Sequence, residues 1–286
     1  MKNALTFDVE EYFHAEAFAG VLRPDEWPTL ESRVTRSTGR LLDILDREQV
    51  RATFFVLGWV AERHPSLVRE IASLGHEVAC HGYGHRMIQH LTRQEFERDV
   101  VQAKRTLEDA VGRPVIGYRA PTFSIMRETL WSLDVLAEAG FRYDSSIFPV
   151  VHDRYGIPDA PRFPHRLKGP SGSEIAEFPP STLQLLGRRL PVAGGGYFRL
   201  FPYTFTRRAI RRINSRERQP AMVYLHPWEI DPDQPRLPVG ILTRFRHRVN
   251  IGKTEARLAR LLDDFSFAPA AEVLAETGLL ALGGAR

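Results

Sequence analysis

Ala4-Leu5-Thr6-Phe7-Asp8-Val9-Glu10 reads as a buried strand that ends in two carboxylates, and the fold and the chemistry of the chain are both read outward from it. Side chains two apart on a strand project to the same face, so Asp8 and Glu10 converge while Val9 faces away. A stretch with leucines and isoleucine at helical spacing follows at 37–49 after a Ser/Thr start, and then comes a β-branched and aromatic run at 52–57. A second unit repeats the pattern: a helix opened by Pro65 and closed by Gly75, then a short strand at 77–80 leading into His81. Beyond it lie a long helix at 92–111, a strand at 115–118, a helix at 127–139 and a strand at 221–225. Repeated β-α units of this kind imply an α/β fold with a mostly parallel sheet, open or closed as a barrel.

Between 149 and 196 proline and glycine are dense and helical periodicity is poor, which predicts an elaborated, loop-rich insertion that shapes a cleft. Nothing reads as a linker, so a single domain spanning 1–286 is expected, with a C-terminal extension over 229–286. At 286 residues and 43% hydrophobic content the chain can bury a large core. Its one cysteine, Cys80, excludes an intrachain disulfide and a Cys-rich zinc site, and fits a reducing compartment. The first residues carry no apolar signal region and no apolar run is long enough to cross a bilayer, so a cytoplasmic location is expected, at most at the inner face of the cytoplasmic membrane.

The formal charge of +4 and Arg207, Arg208, Arg211, Arg212, Arg216 and Arg218 on one predicted helix raise the question of a nucleic-acid partner. Acidic residues are almost as numerous, 35 against 39 basic ones, so the cluster reads as a solvated helix face and no nucleic acid is expected. The weaker option is an anchor for anionic lipid head groups, hence peripheral membrane association.

Asp8, His81, Arg119, Asp144 and His226 each fall at or just past the carboxyl end of a predicted strand, where parallel β/α folds assemble their active sites. In His81-Gly82-Tyr83-Gly84-His85 a spacing of four lets both imidazoles face one ion, and the glycines let the backbone bend around it. Two imidazoles and a carboxylate cradle a divalent cation while leaving it open to water, and a spare carboxylate can take a proton. Glu11 and His14 compete with Glu10 as the ligand.

The motifs Thr6-Phe7-Asp8-Val9-Glu10, His81-Gly82-Tyr83-Gly84-His85, Arg119-Ala120-Pro121-Thr122, Asp144-Ser145-Ser146 and Leu225-His226-Pro227 occur in the order of those of NodB-homology polysaccharide deacetylases, carbohydrate esterase family 4, which the chain resembles over roughly 4–228. Gly194-Gly195-Gly196-Tyr197-Phe198-Arg199 and His226-Pro227-Trp228-Glu229 look like the branch associated with bacterial exopolysaccharide and exosortase (PEP-CTERM) gene systems. The resemblance implies a distorted (β/α) barrel of about seven strands and a metal-dependent N-deacetylase. It implies Asp8 as catalytic base, Arg119 as the residue that orients and charge-pairs it, His226 as general acid and Asp144 as the carboxylate supporting that histidine. His81 and His85 correspond to metal ligands.

The adjacent Asp-Asp usual in that family is Asp8-Val9 here, so Glu10 is taken as the carboxylate ligand, and zinc is the default ion for histidines with a carboxylate. Thr122 replaces a common aromatic and leaves a backbone N–H for an oxyanion, while Tyr197 and Trp228 are expected to stack on sugar rings. Tyr12 and Phe123 read rather as core. The expected reaction is removal of N-acetyl groups from N-acetylhexosamine units of an exopolysaccharide or its lipid-linked precursor. Hydrolysis of another amide, a cyclic ureide or formamide, and a non-catalytic carbohydrate-binding role are the alternatives, because a fold does not fix its substrate.

Overall fold

The computed structural model describes residues 1–192 and 194–282. Eleven strands are present among them: β1 (Asn3–Val9), β2 (Thr53–Val56), β3 (Glu77–Cys80), β4 (Gly117–Tyr118), β5 (Tyr143–Asp144), β6 (His165–Lys168), β7 (Glu174–Glu177), β8 (Thr182–Leu185), β9 (Arg188–Pro191), β10 (Met222–Leu225) and β11 (Phe267–Ala268). The main sheet runs β10-β1-β2-β3-β4-β5-β7-β6, with β11 also on β1, while β8 and β9 form a separate hairpin. From β10 to β7 every neighbour is parallel, and β6 returns antiparallel to β7. The seven-strand distorted barrel expected from the motifs is therefore present.

The barrel is not closed by ladder pairing. The chain leaving β7 crosses the gap instead: Phe178 N–H donates to the Asp144 carbonyl (2.9 Å), and Ser181 N–H reaches the carbonyl of Met222 in β10 (3.4 Å). Gly194 then bridges Tyr224 in parallel. A Cβ on Gly194 would lie 2.1 Å from the Tyr224 ring, so this approach requires glycine.

Strand β1 is buried along its whole length, as expected of a strand covered on both faces. Leu5, Phe7 and Val9 pack outward into the main core, which also takes the apolar faces of α1 (Val34–Arg47), α2 (Gly58–Arg63), α3 (Pro65–Ser73), α4 (Arg93–Val111) and α5 (Ser132–Glu138). Ala4 faces the barrel interior with Phe55, Ala79, Tyr143 and Met222. Asp8 continues that inner register toward the carboxyl mouth.

One expectation is corrected. The insertion expected to be loop-rich contributes four strands, one of them the parallel barrel strand β7. The C-terminal extension holds α8 (Ile241–Arg248), α9 (Ile251–Asp264) and α10 (Ala270–Glu276); β11 joins β1, and Val273 and Leu274 of α10 enter the inner cluster with Ala4. Two further helices, α6 (Gly195–Leu200) and α7 (Tyr203–Arg212), precede β10. No helix among the described residues is long and apolar enough to cross a membrane.

Candidate active site

Asp8, near the end of β1, lies against Arg119, one residue past β4. The Arg119 Nη1 donates to Asp8 Oδ1 at 2.6 Å and to Thr6 Oγ1 at 2.9 Å. Its Nη2 donates to Ser145 Oγ (2.8 Å) and its Nε to the Ser145 carbonyl (3.2 Å), and the guanidinium lies 4.0 Å over the Phe55 ring. Both partners are buried, and these hydrogen bonds hold the pair in one orientation. The other Asp8 oxygen, Oδ2, faces His226 Nε2 at 3.8 Å.

Glu10, His81 and His85 come together as the alternation of β1 and the spacing of the second motif require, each offering a donor atom within 4.8 Å of the others. Glu10 Oε2 is 2.7 Å from His85 Nε2 and 3.9 Å from His81 Nε2. The His81 Nδ1 is bonded to the Arg119 carbonyl at 2.8 Å, which turns Nε2 toward the carboxylate. Burial alone would push Glu10 up; the His85 imidazole, together with His226 and His81, more than offsets this and holds its carboxyl well below the ordinary carboxylate range. Burial takes His81 down to about 4, so it is neutral and able to ligate. Glu10 Oε2 is buried with the two imidazole Nε2 atoms as its polar neighbours, at 2.7 and 3.9 Å, so its charge faces two ring nitrogens that a shared cation would bridge. The residues therefore fit a divalent ion with two nitrogens and one oxygen, a donor set suited to zinc.

The competitors point elsewhere. Glu11 accepts from Ser32 Oγ (2.5 Å) and from the Arg33 N–H (2.9 Å), and His14 Nδ1 accepts the Glu11 N–H (3.1 Å). Burial among Phe13, Trp27 and Trp59 takes His14 down to about 3.

His226 follows β10 and opens a short turn begun by Pro227. Asp144 does not hold this ring: its carboxylate accepts the Ser146 hydroxyl (2.5 Å) and the Ser146 N–H (3.1 Å). Ser146 Oγ in turn accepts the Ala120 N–H at 2.8 Å, so Asp144 braces the Arg119 loop. The acid behind His226 is Glu229, whose Oε2 takes Nδ1 at 2.9 Å and the His226 backbone N–H at 3.0 Å. Arg199 of α6 grips the other Glu229 oxygen at 2.5 Å. Burial disfavours the imidazolium, but the bond to Glu229 and the charges of Glu10 and Asp8 outweigh it and raise His226 to about 9. Burial would raise Glu229 as well, yet Arg199 and His226 bring it down to about 2. The signal missed in the sequence was His226-Pro227-Trp228-Glu229 itself, an N-cap with an acid three residues on behind an N1 proline.

Asp99, also missed, reaches from α4 to accept the Tyr83 N–H (2.8 Å) and the Gly84 N–H (3.4 Å), fixing the turn between the two histidines. Gly82 sits there at φ +75. His85, Thr122 and Phe123 occupy the same left-handed region at φ 50, 54 and 52, strain of the kind that collects at functional sites, on the order of 1–3 kcal/mol each. Beside Asp144, Glu177 is pushed well above the ordinary range by burial and by the neighbouring Asp144 carboxylate.

Of the residues expected to meet sugar, Thr122 is in the strained turn next to Arg119. Trp228 is no free platform: its faces stack on His226 (centroids 4.9 Å) and His247 (4.4 Å), and its Nε1 donates to Glu10 Oε1 at 3.0 Å. Tyr197 is half-buried and lines a cavity of about 700 Å³ with Tyr155, Tyr224 and Phe245. Tyr12 and Phe123 are core, as read from the sequence.

Residues 4–143 match the polysaccharide deacetylase family, and residues 145–275 match a domain of unknown function, DUF3473. A Bacillus cereus peptidoglycan-N-acetylglucosamine deacetylase is 30% identical over 156 residues, 48% of this chain and 54% of that protein. A chitooligosaccharide deacetylase of Rhizobium leguminosarum bv. trifolii is 33% identical over 102 residues, 36% and 45% of the two chains. The chain thus spans about half the length of these curated relatives. Among solved structures, a Mycobacterium smegmatis protein described as a polysaccharide deacetylase superposes with a TM-score of 0.61 at 23% identity, covering 99% of this chain and 92% of its own. An allantoinase gives the same TM-score at 15% identity, covering 97% and 91%. At these identities the structural likeness concerns the fold.

Proposed function

Because this chain belongs, through residues 4–143, to the polysaccharide deacetylase family, we propose that it is a metal-dependent hydrolase that removes N-acetyl groups from N-acetylhexosamine units of a bacterial exopolysaccharide or of its lipid-linked precursor. The observation that carries the reading is the facing of two groups across one mouth: the Asp8–Arg119 pair on one side and His226, backed by Glu229, on the other, with Glu10, His81 and His85 beside them.

Glu10, His81 and His85 would hold the ion, which when bound supplies Lewis acidity to the acetamide carbonyl and makes water a usable nucleophile near neutral pH. The residues of the chain do the rest. Asp8, held by Arg119 through Oδ1, keeps Oδ2 free to take the proton of the attacking water. The Thr122 backbone N–H supports the developing oxyanion, a contribution of roughly 3 to 4 kcal/mol for such donors. His226, cationic at neutral pH, delivers a proton from Nε2 to the departing amine. Trp228 fixes Glu10 from behind. Acetate and a free amino sugar leave.

The test is acetate release from N-acetylated oligosaccharides by the purified chain, before and after chelation and re-addition of zinc. The reading requires acetate that disappears with the metal and returns with it. Full activity in chelator would overturn the metal role, and opening of a cyclic ureide without acetate release would transfer the same groups to the alternative amide.

A further inference from the structure

Helix α8 carries two faces of different character. Inward, His247 stacks on Trp228 at 4.4 Å and bonds Gln234 Oε1 at 2.8 Å, tying the helix directly to the site. Outward, Ile241, Leu242 and Phe245 are 85%, 62% and 57% exposed. Leu242, Phe245 and the exposed Leu200 at the end of α6 line the same cavity of about 700 Å³, which reaches Tyr224 beside His226. Several large apolar side chains gathered at one mouth are not ordinary surface scatter.

The charge around this patch is predominantly positive. Between 232 and 249 the chain carries Arg236, Arg244, Arg246 and Arg248 against Asp233, with Arg154 on the neighbouring wall and Asp153 the acid beside it. Arg244 and Arg246 are exposed on either side of Phe245. The arginines of α7 that drew attention in the sequence offer less: Arg207 and Arg211 are committed to Asp264. An apolar stripe flanked by exposed arginines is the composition of a helix that lies in a lipid–water interface, with the side chains in the acyl boundary and the cations among phosphates.

We infer that the exposed face of α8, with Leu200, docks on an anionic bilayer surface and holds the catalytic mouth against it. The inference goes beyond the hydrolase reading, since membrane docking can fail while hydrolysis stands.

The experiment is co-sedimentation of the purified chain with sucrose-loaded vesicles, either phosphatidylglycerol mixed with phosphatidylcholine or phosphatidylcholine alone. The parent should pellet with the anionic vesicles, less with the zwitterionic ones, and release as salt screens the charge. I241S/L242S/F245S, all at exposed positions, should lower the partition by about tenfold or more. R244E/R246E should lower it by about fivefold or more per charge and abolish the preference for anionic lipid. Circular dichroism and thermal midpoints confirm that both variants fold. A parent that stays in the supernatant overturns the proposal, as does a triple variant that pellets like the parent or binding lost instead in R208E/R212E. A parent that is dimeric by light scattering and made monomeric by the triple substitution would assign the face to a second copy and likewise overturn it.

Discussion

Glu229 decides the charge of the ring that faces the site. With His226 raised to about 9, the acid form persists through neutral pH and activity should fall as pH rises through about 9. In Glu229→Gln the anion is removed while Glu10 and Asp8 remain, and burial draws the ring back toward its ordinary value of 6.5. The alkaline limb of the pH–kcat profile should move down by the same distance, so that the variant lags near neutrality and approaches the parent in acid. An unmoved limb would remove His226 from the role of proton donor. At Asp8 the prediction is a collapse without loss of metal: Asp8→Asn should cost kcat roughly 10²- to 10⁴-fold, the usual range for a general base, while zinc content by elemental analysis stays at the parental level. Loss of zinc in that variant would make Asp8 a ligand instead. Asp8, Glu10, His81 and His85 were legible because strand alternation and an i, i+4 spacing are local rules. The Asp144 assignment failed because its carboxylate is satisfied by its own chain two residues on, whereas Glu229 gains its importance from Arg199, thirty positions away.

At the scale of elements, α4 is the part that sets the metal turn. Its start is secured by a capping box in which Thr92 and Glu95 exchange bonds, the Glu95 N–H reaching Thr92 Oγ1 at 3.3 Å and the Thr92 N–H reaching Glu95 Oε2 at 2.8 Å. Asp99 then projects from the second turn to hold the Tyr83 and Gly84 amides. Asp99→Ala should leave the fold standing and weaken zinc about 10- to 100-fold in competition with a chromogenic chelator, since the partners that orient ligands are worth that much. An unchanged affinity would show that Gly82 and His85 hold their φ angles unaided. The long helix was read from the sequence almost to the residue, because nineteen positions carry a clear period. The six-residue α2 was not read, and β7 was hidden within a proline- and glycine-rich stretch as the four residues Glu174–Glu177. A strand of that length takes its identity from its neighbour β5, which the sequence does not display.

For the whole molecule, the ligands are held by distant parts of one barrel, with Glu10 just past β1 and His81 and His85 just past β3. Without the ion, a low-lying carboxylate and two imidazoles are left facing one another in a buried mouth, the two Nε2 atoms 2.7 and 3.9 Å from Glu10 Oε2. An ion held by these three donors would bind the folded chain and not separated ligands, so it should stabilise by RT ln(1 + [L]/Kd), about 2.7 kcal/mol when free metal is a hundredfold above Kd. For a chain of this size that corresponds to a Tm roughly 4–5 °C higher with zinc than with chelator. Acid should erase the difference, because protons compete for His81, whose neutral form is favoured down to about 4, and then for Glu10. His81→Ala should melt at one temperature in either buffer, which separates ligation at this site from zinc bound elsewhere. Identical melting of the parent with and without chelator would mean that the three donors do not act as a cation site, whatever their distances.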